Sequence, residues 1–196
     1  MQLHIAHAVI HLNMPHPGND EQFSFIPGVL AEKEMQARTD LTPPAMGEYW
    51  PGQGGRYICT LPALLDMPER HLIAAEGETE DLTFGPSEDV QGAASQIDGT
   101  ANTKALLAHG KHPAALCASA YTADGHTDFF LPSKLDMVMA HICAPQLFKK
   151  SGWYWTSTQG SRSFAFVQDF ENGISDWYYK DYDHRVRAFR VIPLNA

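Results

Sequence analysis

Ser163-Phe164-Ala165-Phe166-Val167-Gln168-Asp169-Phe170-Glu171-Asn172-Gly173 is the stretch on which the fold class turns. Its side chains alternate at period two. Phe164, Phe166, Gln168 and Phe170 share one face and Ala165, Val167 and Asp169 the other, which is the pattern of a β-strand. Asn172-Gly173 then gives a strong hairpin signal, because both residue types accept the positive φ of a tight turn. A partner strand is expected to begin near Trp177. Beyond it, Val186, Ala188, Arg190 and Ile192 alternate with Arg187, Phe189 and Val191, predicting one last strand. Just upstream, Trp153-Tyr154-Trp155-Thr156-Ser157-Thr158 is aromatic and β-branched and reads as a strand as well.

Working back from there, the period changes. Leu131-Pro132 leads into Ser133, a good helix N-cap, with Asp136 placed as its capping-box partner. Leu135, Val138, Met139 and Ile142 follow at i, i+3, i+4 and i+7, which predicts one buried helix face with Phe129 packed beside it. Residues 102–121 are rich in Ala and Leu and read as a helix, with a restart at Pro113, a residue suited to a first helical position. Two helices before an antiparallel meander that includes residues 163–170 and 185–192 define an α+β domain.

The first part of the chain is more punctuated. Pro15, Pro17, Gly18, Pro27 and Gly28, then Thr42-Pro43-Pro44 and Pro51-Gly52-Gln53-Gly54-Gly55, are loop signals. They set off an N-terminal arm over residues 1–50 from a domain over residues 51–196, with residues 1–12 as one short strand or helix. Arg56-Tyr57-Ile58-Cys59-Thr60-Leu61 and His71-Leu72-Ile73-Ala74-Ala75 read as a hairpin-like pair of strands.

Composition narrows the function classes. An apolar share of 44% over 196 residues fits a globular protein with a real core. A net charge of −9 argues against nucleic acid as a partner, since phosphate binding needs a basic face. No run approaches the ~18 apolar residues of a membrane span, so a membrane partner is not expected. Met1-Gln2-Leu3-His4 offers no basic region before an apolar stretch, so the chain is expected to be made in the cytoplasm and to leave only within a larger assembly. Cys59, Cys117 and Cys143 form no CxxC pair and read as buried small apolar residues.

A resemblance enters on the second half of the chain. Asp98-Gly99, Asn102-Thr103, Ala114-Ala115, Cys117, Gly125 and Asp128-Phe129-Phe130-Leu131-Pro132-Ser133 make one signature. Tyr154-Trp155-Thr156-Ser157-Thr158, Phe170-Glu171-Asn172-Gly173 and Val186-Arg187-Ala188-Phe189-Arg190 continue it. The combination resembles a bacterial and phage domain family that includes the C-terminal domain of a collagen-like adhesin. That family is related to the C-type lectin fold and to formylglycine-generating-enzyme-like domains. Phe129 departs from the family's usual Trp, one aromatic for another. In the first half, Trp50, Gln53-Gly54-Gly55 and His71-Leu72-Ile73 look similar to short phage tail proteins that carry this domain. The resemblance implies a C-type-lectin-like domain with two helices and a twisted antiparallel sheet, in a non-catalytic virion protein, tail-associated and contacting a host-surface receptor. The alternative it leaves is a structural virion component, a capsid decoration or tail assembly protein. Expected partners are a host-surface glycan or protein, other virion proteins through the N-terminal arm, and further copies of the chain.

Candidate contact residues come from composition. Trp177-Tyr178-Tyr179-Lys180-Asp181-Tyr182-Asp183-His184-Arg185 mixes aromatics with both charge signs and fits no single period, as binding surfaces do. A solvated loop anchored by one or two aromatics is the competing reading. Trp177, Tyr178, Tyr179, Tyr182 and Arg185, joined by Gln159 and Arg162 from the preceding loop, are therefore the expected ligand contacts. Trp153, Tyr154 and Trp155 could form a stacking platform for a sugar ring. The favoured reading puts Tyr154 or Trp155 in the core, because a strand buries every second side chain, with Thr156, Ser157 and Thr158 satisfying backbone groups. No cofactor or metal is expected: Asp176, Asp181 and Asp183 lack the sugar-lectin calcium motifs, and His4, His7 and His11 fit a metal face no better than a strand. The copper-binding cysteine pair of formylglycine-generating enzymes is missing after Cys143, and no P-loop, Gly-x-Ser-x-Gly or His-Glu-x-x-His motif occurs, so no enzymatic activity is expected.

Overall fold

The computed structural model describes residues 41–194. The N-terminal arm to residue 40, with His4, His7 and His11, lies outside the described residues. The fold is mixed α+β. β1 (Tyr49–Trp50), β2 (Gly55–Leu61), β3 (Arg70–Ala74) and β4 (Thr79–Thr83) come first. α1 (Gly99–His109), α2 (Pro113–Ala120) and α3 (Lys134–Cys143) follow. β5 (Trp153–Gln159), β6 (Phe164–Asp169), β7 (Ser175–Tyr179), β8 (Asp183–Val186) and β9 (Phe189–Pro193) complete it.

The strands form two sheets, a four-stranded one ordered β1-β2-β3-β9 and a five-stranded one ordered β4-β8-β5-β6-β7. All pairs are antiparallel except a short parallel contact between β5 and β8 at Tyr154 and Arg185. The expected β2–β3 pair and the β6–β7 hairpin around Asn172-Gly173 are both present. The expected single last strand is not. It divides at Arg187-Ala188, so that β8 joins the five-stranded sheet and β9 the four-stranded one. The chain between β3 and β4 makes the same change of sheet alongside it, and Ala75 N donates to Ala188 O at 2.8 Å. Strands that bend from one sheet into another are how sheets turn corners.

Burying the Arg187 side chain holds that corner. Its Nε donates to Ala75 O at 2.7 Å, its Nη2 to Glu76 O at 2.8 Å and its Nη1 to Leu147 O, while the guanidinium lies over the Phe148 ring. These carbonyls sit on the crossing segments and on the turn after α3, where no strand partner is available to them. A five-donor planar cation can serve several at once.

Two apolar clusters make the core. One gathers Phe84, Leu106, Phe129, Leu131, Trp155 and Val167 under α1 and α2. The other gathers Ile58, Leu72, Phe130, Met137, Tyr154, Phe148 and Phe189 around α3 and the four-stranded sheet. β5 runs between them, sending Trp155 into the first and Tyr154 into the second, both fully buried. Period two along one strand thus feeds two cores. The polar residues after Trp155 do what was expected of them. Thr156 Oγ1 donates to Phe166 O, Ser157 Oγ to Pro132 O and Thr158 Oγ1 to Ser95 O.

Among the described residues the helices start where the sequence indicates but number three, because Pro113 opens a separate α2. Asp98 caps α1 through Ala101 N, and Ser133 with Asp136 forms a full capping box on α3. That box overturns the expected helix face. Asp136 is buried and turns inward with Met137 and Ala140, while Leu135, Val138 and Met139 are half-buried and Ile142 is 64% exposed. Lys134 N donates to Thr158 Oγ1 and Leu135 N to Gln96 O, which fixes the rotation of the first turn. Ser133, Asp136, Met137, Ala140 and Ala144 then form the inner stripe, one position round from the apolar periodicity. Phe129 packs not there but against Tyr121, at 4.8 Å between ring centres, and Phe130 takes the place beside Met137. Cys59 is buried as expected, but Cys117 and Cys143 are half-buried.

Met137→Ala should therefore lower stability by about 2–5 kcal/mol, the usual range for emptying a core site. Ile142→Ala should change it by less than about 0.5 kcal/mol, as exposed substitutions do. Urea unfolding of both variants checks the rotation, and equal losses would contradict it.

Candidate functional site

The hairpin register decides which side chains share a surface. Phe164 stands opposite Tyr179 and Phe166 opposite Trp177, and directly opposed residues project to the same face. The rings are in contact: Trp177 and Phe166 lie 3.8 Å apart and 33° from parallel, and Tyr179 and Phe164 lie 4.4 Å apart. Trp177 is 48% exposed and Tyr179 51%, so each rests on a more buried phenyl ring and leaves much of its surface to solvent. Lys134, at the start of α3, reaches over Phe166 with its Nζ 4.1 Å from the ring centre. Tyr182 stands at the margin, 5.9 Å from the Tyr179 ring. Among the described residues β7 is the outer strand of its sheet, so this face lies along the sheet's edge.

Gly160 shapes the platform from the β5–β6 loop. A Cβ added there would overlap Trp177 Cζ3 and Cε3, so the indole lies directly on the glycine backbone. Only a residue without a side chain permits that approach.

The structure does not gather the seven expected contact residues on one surface. Trp177, Tyr179 and Tyr182 come together on the face just described, Trp177 and Tyr179 from within a strand rather than a loop. Tyr178 points to the opposite face, half-buried against Trp153 and His184. Arg162 is exposed beside the β5–β6 turn and donates from Nε to Ser87 O. Gln159 is engaged internally: its Oε1 accepts from Val90 N at 3.0 Å and from Lys180 Nζ at 2.7 Å. Lys180 is fully buried over the Phe84 ring, and desolvation pulls its pKa down to about 8.

Arg185 lies at the far side of the sheet in an ion-pair network. Its Nε is 3.3 Å from Glu80 Oε1 and 3.6 Å from Glu78 Oε1, and Lys149 closes on both carboxylates. The Lys149 and Arg185 hydrogen bonds hold the Glu80 carboxyl below its usual range. Beside this network Glu80, Asp81, Gly152, Trp153, Asp183, His184 and Arg185 line a polar cleft of about 190 Å³. The His184 ring is wedged between Trp155 and Tyr178, with Nε2 buried and unpartnered, and desolvation pushes its pKa down to about 4. It is therefore a neutral packing group at physiological pH. Among the described residues, no group of three His, Cys, Asp or Glu side chains converges to hold a metal, and no helix is long and apolar enough to cross a membrane.

Phe164, Phe166, Lys134 and Gly160 are the members of the aromatic face that composition did not single out. The register around Asn172-Gly173 would have found the two phenylalanines. No family model matches this chain, and no curated protein matches its sequence.

Gly160→Ala should displace the Trp177 ring at a cost of about 1–3 kcal/mol, the range for overpacking. The chain has four tryptophans. In a proton–nitrogen correlation spectrum, one indole resonance should move strongly while the others stay. An unchanged Trp177 resonance would show that the ring does not lie on Gly160.

Proposed function

We propose that this chain is a non-catalytic binding protein of a phage virion, tail-associated, whose C-type-lectin-like domain contacts a host-surface receptor through the β6–β7 aromatic face. The observation that carries the reading is the pair Trp177 and Tyr179, half-exposed, side by side and backed by Phe166 and Phe164. A folded chain normally buries such rings or spends them singly. Tyr and Trp held rigid on a strand offer large contact area at low entropic cost, which is the composition of contact centres. Lys134 at one end and Tyr182 at the other add polar groups that can orient a ligand. The mixed α+β fold, with helices preceding an antiparallel hairpin, is the broad class to which the lectin-like architecture implied by the sequence resemblance belongs. The virion and the receptor follow from that resemblance.

The double variant Trp177→Ala, Tyr179→Ala tests it. Aromatic anchors typically contribute ~2 kcal/mol or more each, so binding to host cells should fall at least a hundredfold while the melting temperature moves little. If the variant binds host cells as the wild type does, the receptor-binding reading fails, and a structural virion component takes its place.

A further inference from the structure

The turn between β2 and β3 has no part in the aromatic face, yet it carries the most exposed large apolar side chain among the described residues. Leu64 and Met67 close a two-residue turn by reciprocal backbone hydrogen bonds of 3.0 Å. Leu65 at its tip is 86% exposed and sits at φ +53°. A leucine there is strained, since its Cβ crowds the backbone, and it displays its whole side chain to water. Glycine would relieve both costs if the turn served only to reverse the chain. Strain retained at an exposed apolar tip points to a contact outside the fold.

The same molecule carries a cleft of matching chemistry. Between the end of α1 and the start of α2, Leu106, Leu107, His112, Pro113 and Leu116 line a depression of about 290 Å³ that is almost wholly apolar. Leu116 is 62% exposed at its side, and Lys111 stands at the rim. Leu65 is next to Asp66, so the molecule carries an apolar knob with an acidic neighbour and an apolar hole with a basic one. Within one chain the two features do not meet, because Leu65 and Leu116 are both open to solvent.

We propose that the Leu64-Leu65 tip of one copy inserts into the α1–α2 cleft of a second copy, with Asp66 against Lys111. Knob and hole are different surfaces, so the contact is heterologous, and repetition gives a ring or an open filament rather than a closed two-fold dimer. Such an assembly would array the β6–β7 face in many copies.

The full-length chain, studied by sedimentation velocity from micromolar to submillimolar concentration, tests the proposal. Wild type should assemble beyond the monomer by mass action. Leu65→Gly, which fits the turn without strain, and Leu116→Asp, at an exposed helix position, should each stay monomeric with an unchanged or higher melting temperature. Mixing these two variants should yield dimers and nothing larger, because the mixture holds one intact knob and one intact hole per pair. Lys111→Glu should weaken assembly at least tenfold, and Asp66→Lys in the same chain should restore it. A wild type that remains monomeric throughout, single variants that assemble as wild type does, or a mixture without dimers would each overturn the proposal.

Discussion

The Arg187 guanidinium sits where both connections between the two sheets cross, and everything distal to it depends on that junction. A chain that leaves one sheet and enters another strands its backbone carbonyls, and a buried carbonyl without a donor costs about as much as a lost hydrogen bond. Arg187 answers two of them, on Ala75 and Glu76, takes the Leu147 carbonyl of the turn after α3 as well, and stacks on Phe148. Burial lowers its pKa, yet its ordinary value is so high that the group stays charged. Because β8 is registered on β4 and touches β5 beside this corner, the placement of the five-stranded sheet follows from it.

From the corner outward, constraint gives way to exposure. β5 is buried on both faces, with Tyr154 and Trp155 in separate cores. β6 is still mostly buried, but β7 is the outer strand among the described residues, and its Trp177 and Tyr179 are half in solvent. Rigidity and availability thus coexist within one sheet. The strands that fix the aromatic rings are anchored in the cores, while the rings themselves remain open. Neutral His184 and buried Lys180 belong to the supporting side of this arrangement, filling space under β8 and tying the Glu88–Gln159 region to the sheet.

Much of the framework was legible because it is local. Ser133 and Asp136 cap a helix through atoms three residues apart, and Asn172-Gly173 turns a hairpin. The losses were all non-local. Alternation through residues 186–192 cannot reveal that Arg187 has carbonyl partners more than a hundred positions away, so one strand was read where two exist. Apolar counting along α3 selects Leu135, Val138, Met139 and Ile142, and the buried capping box turns the neighbouring Asp136, Met137 and Ala140 inward instead. In the candidate site, composition marks an aromatic-rich stretch but not which way each side chain faces. Tyr178 alternates away from Trp177 and Tyr179, and Gln159 and Arg185 are held by Lys180, Glu78 and Glu80, none of which their local sequence indicates.

The most direct measurement is equilibrium urea unfolding of Arg187→Met, which keeps bulk over Phe148 while removing every donor. Leaving the Ala75, Glu76 and Leu147 carbonyls, the first of them buried, without their charged partner should lower stability by about 3–5 kcal/mol, in one cooperative transition that removes both sheets together. A loss under about 1 kcal/mol, ordinary for a mild substitution, would contradict the dependence of the sheet arrangement on this guanidinium.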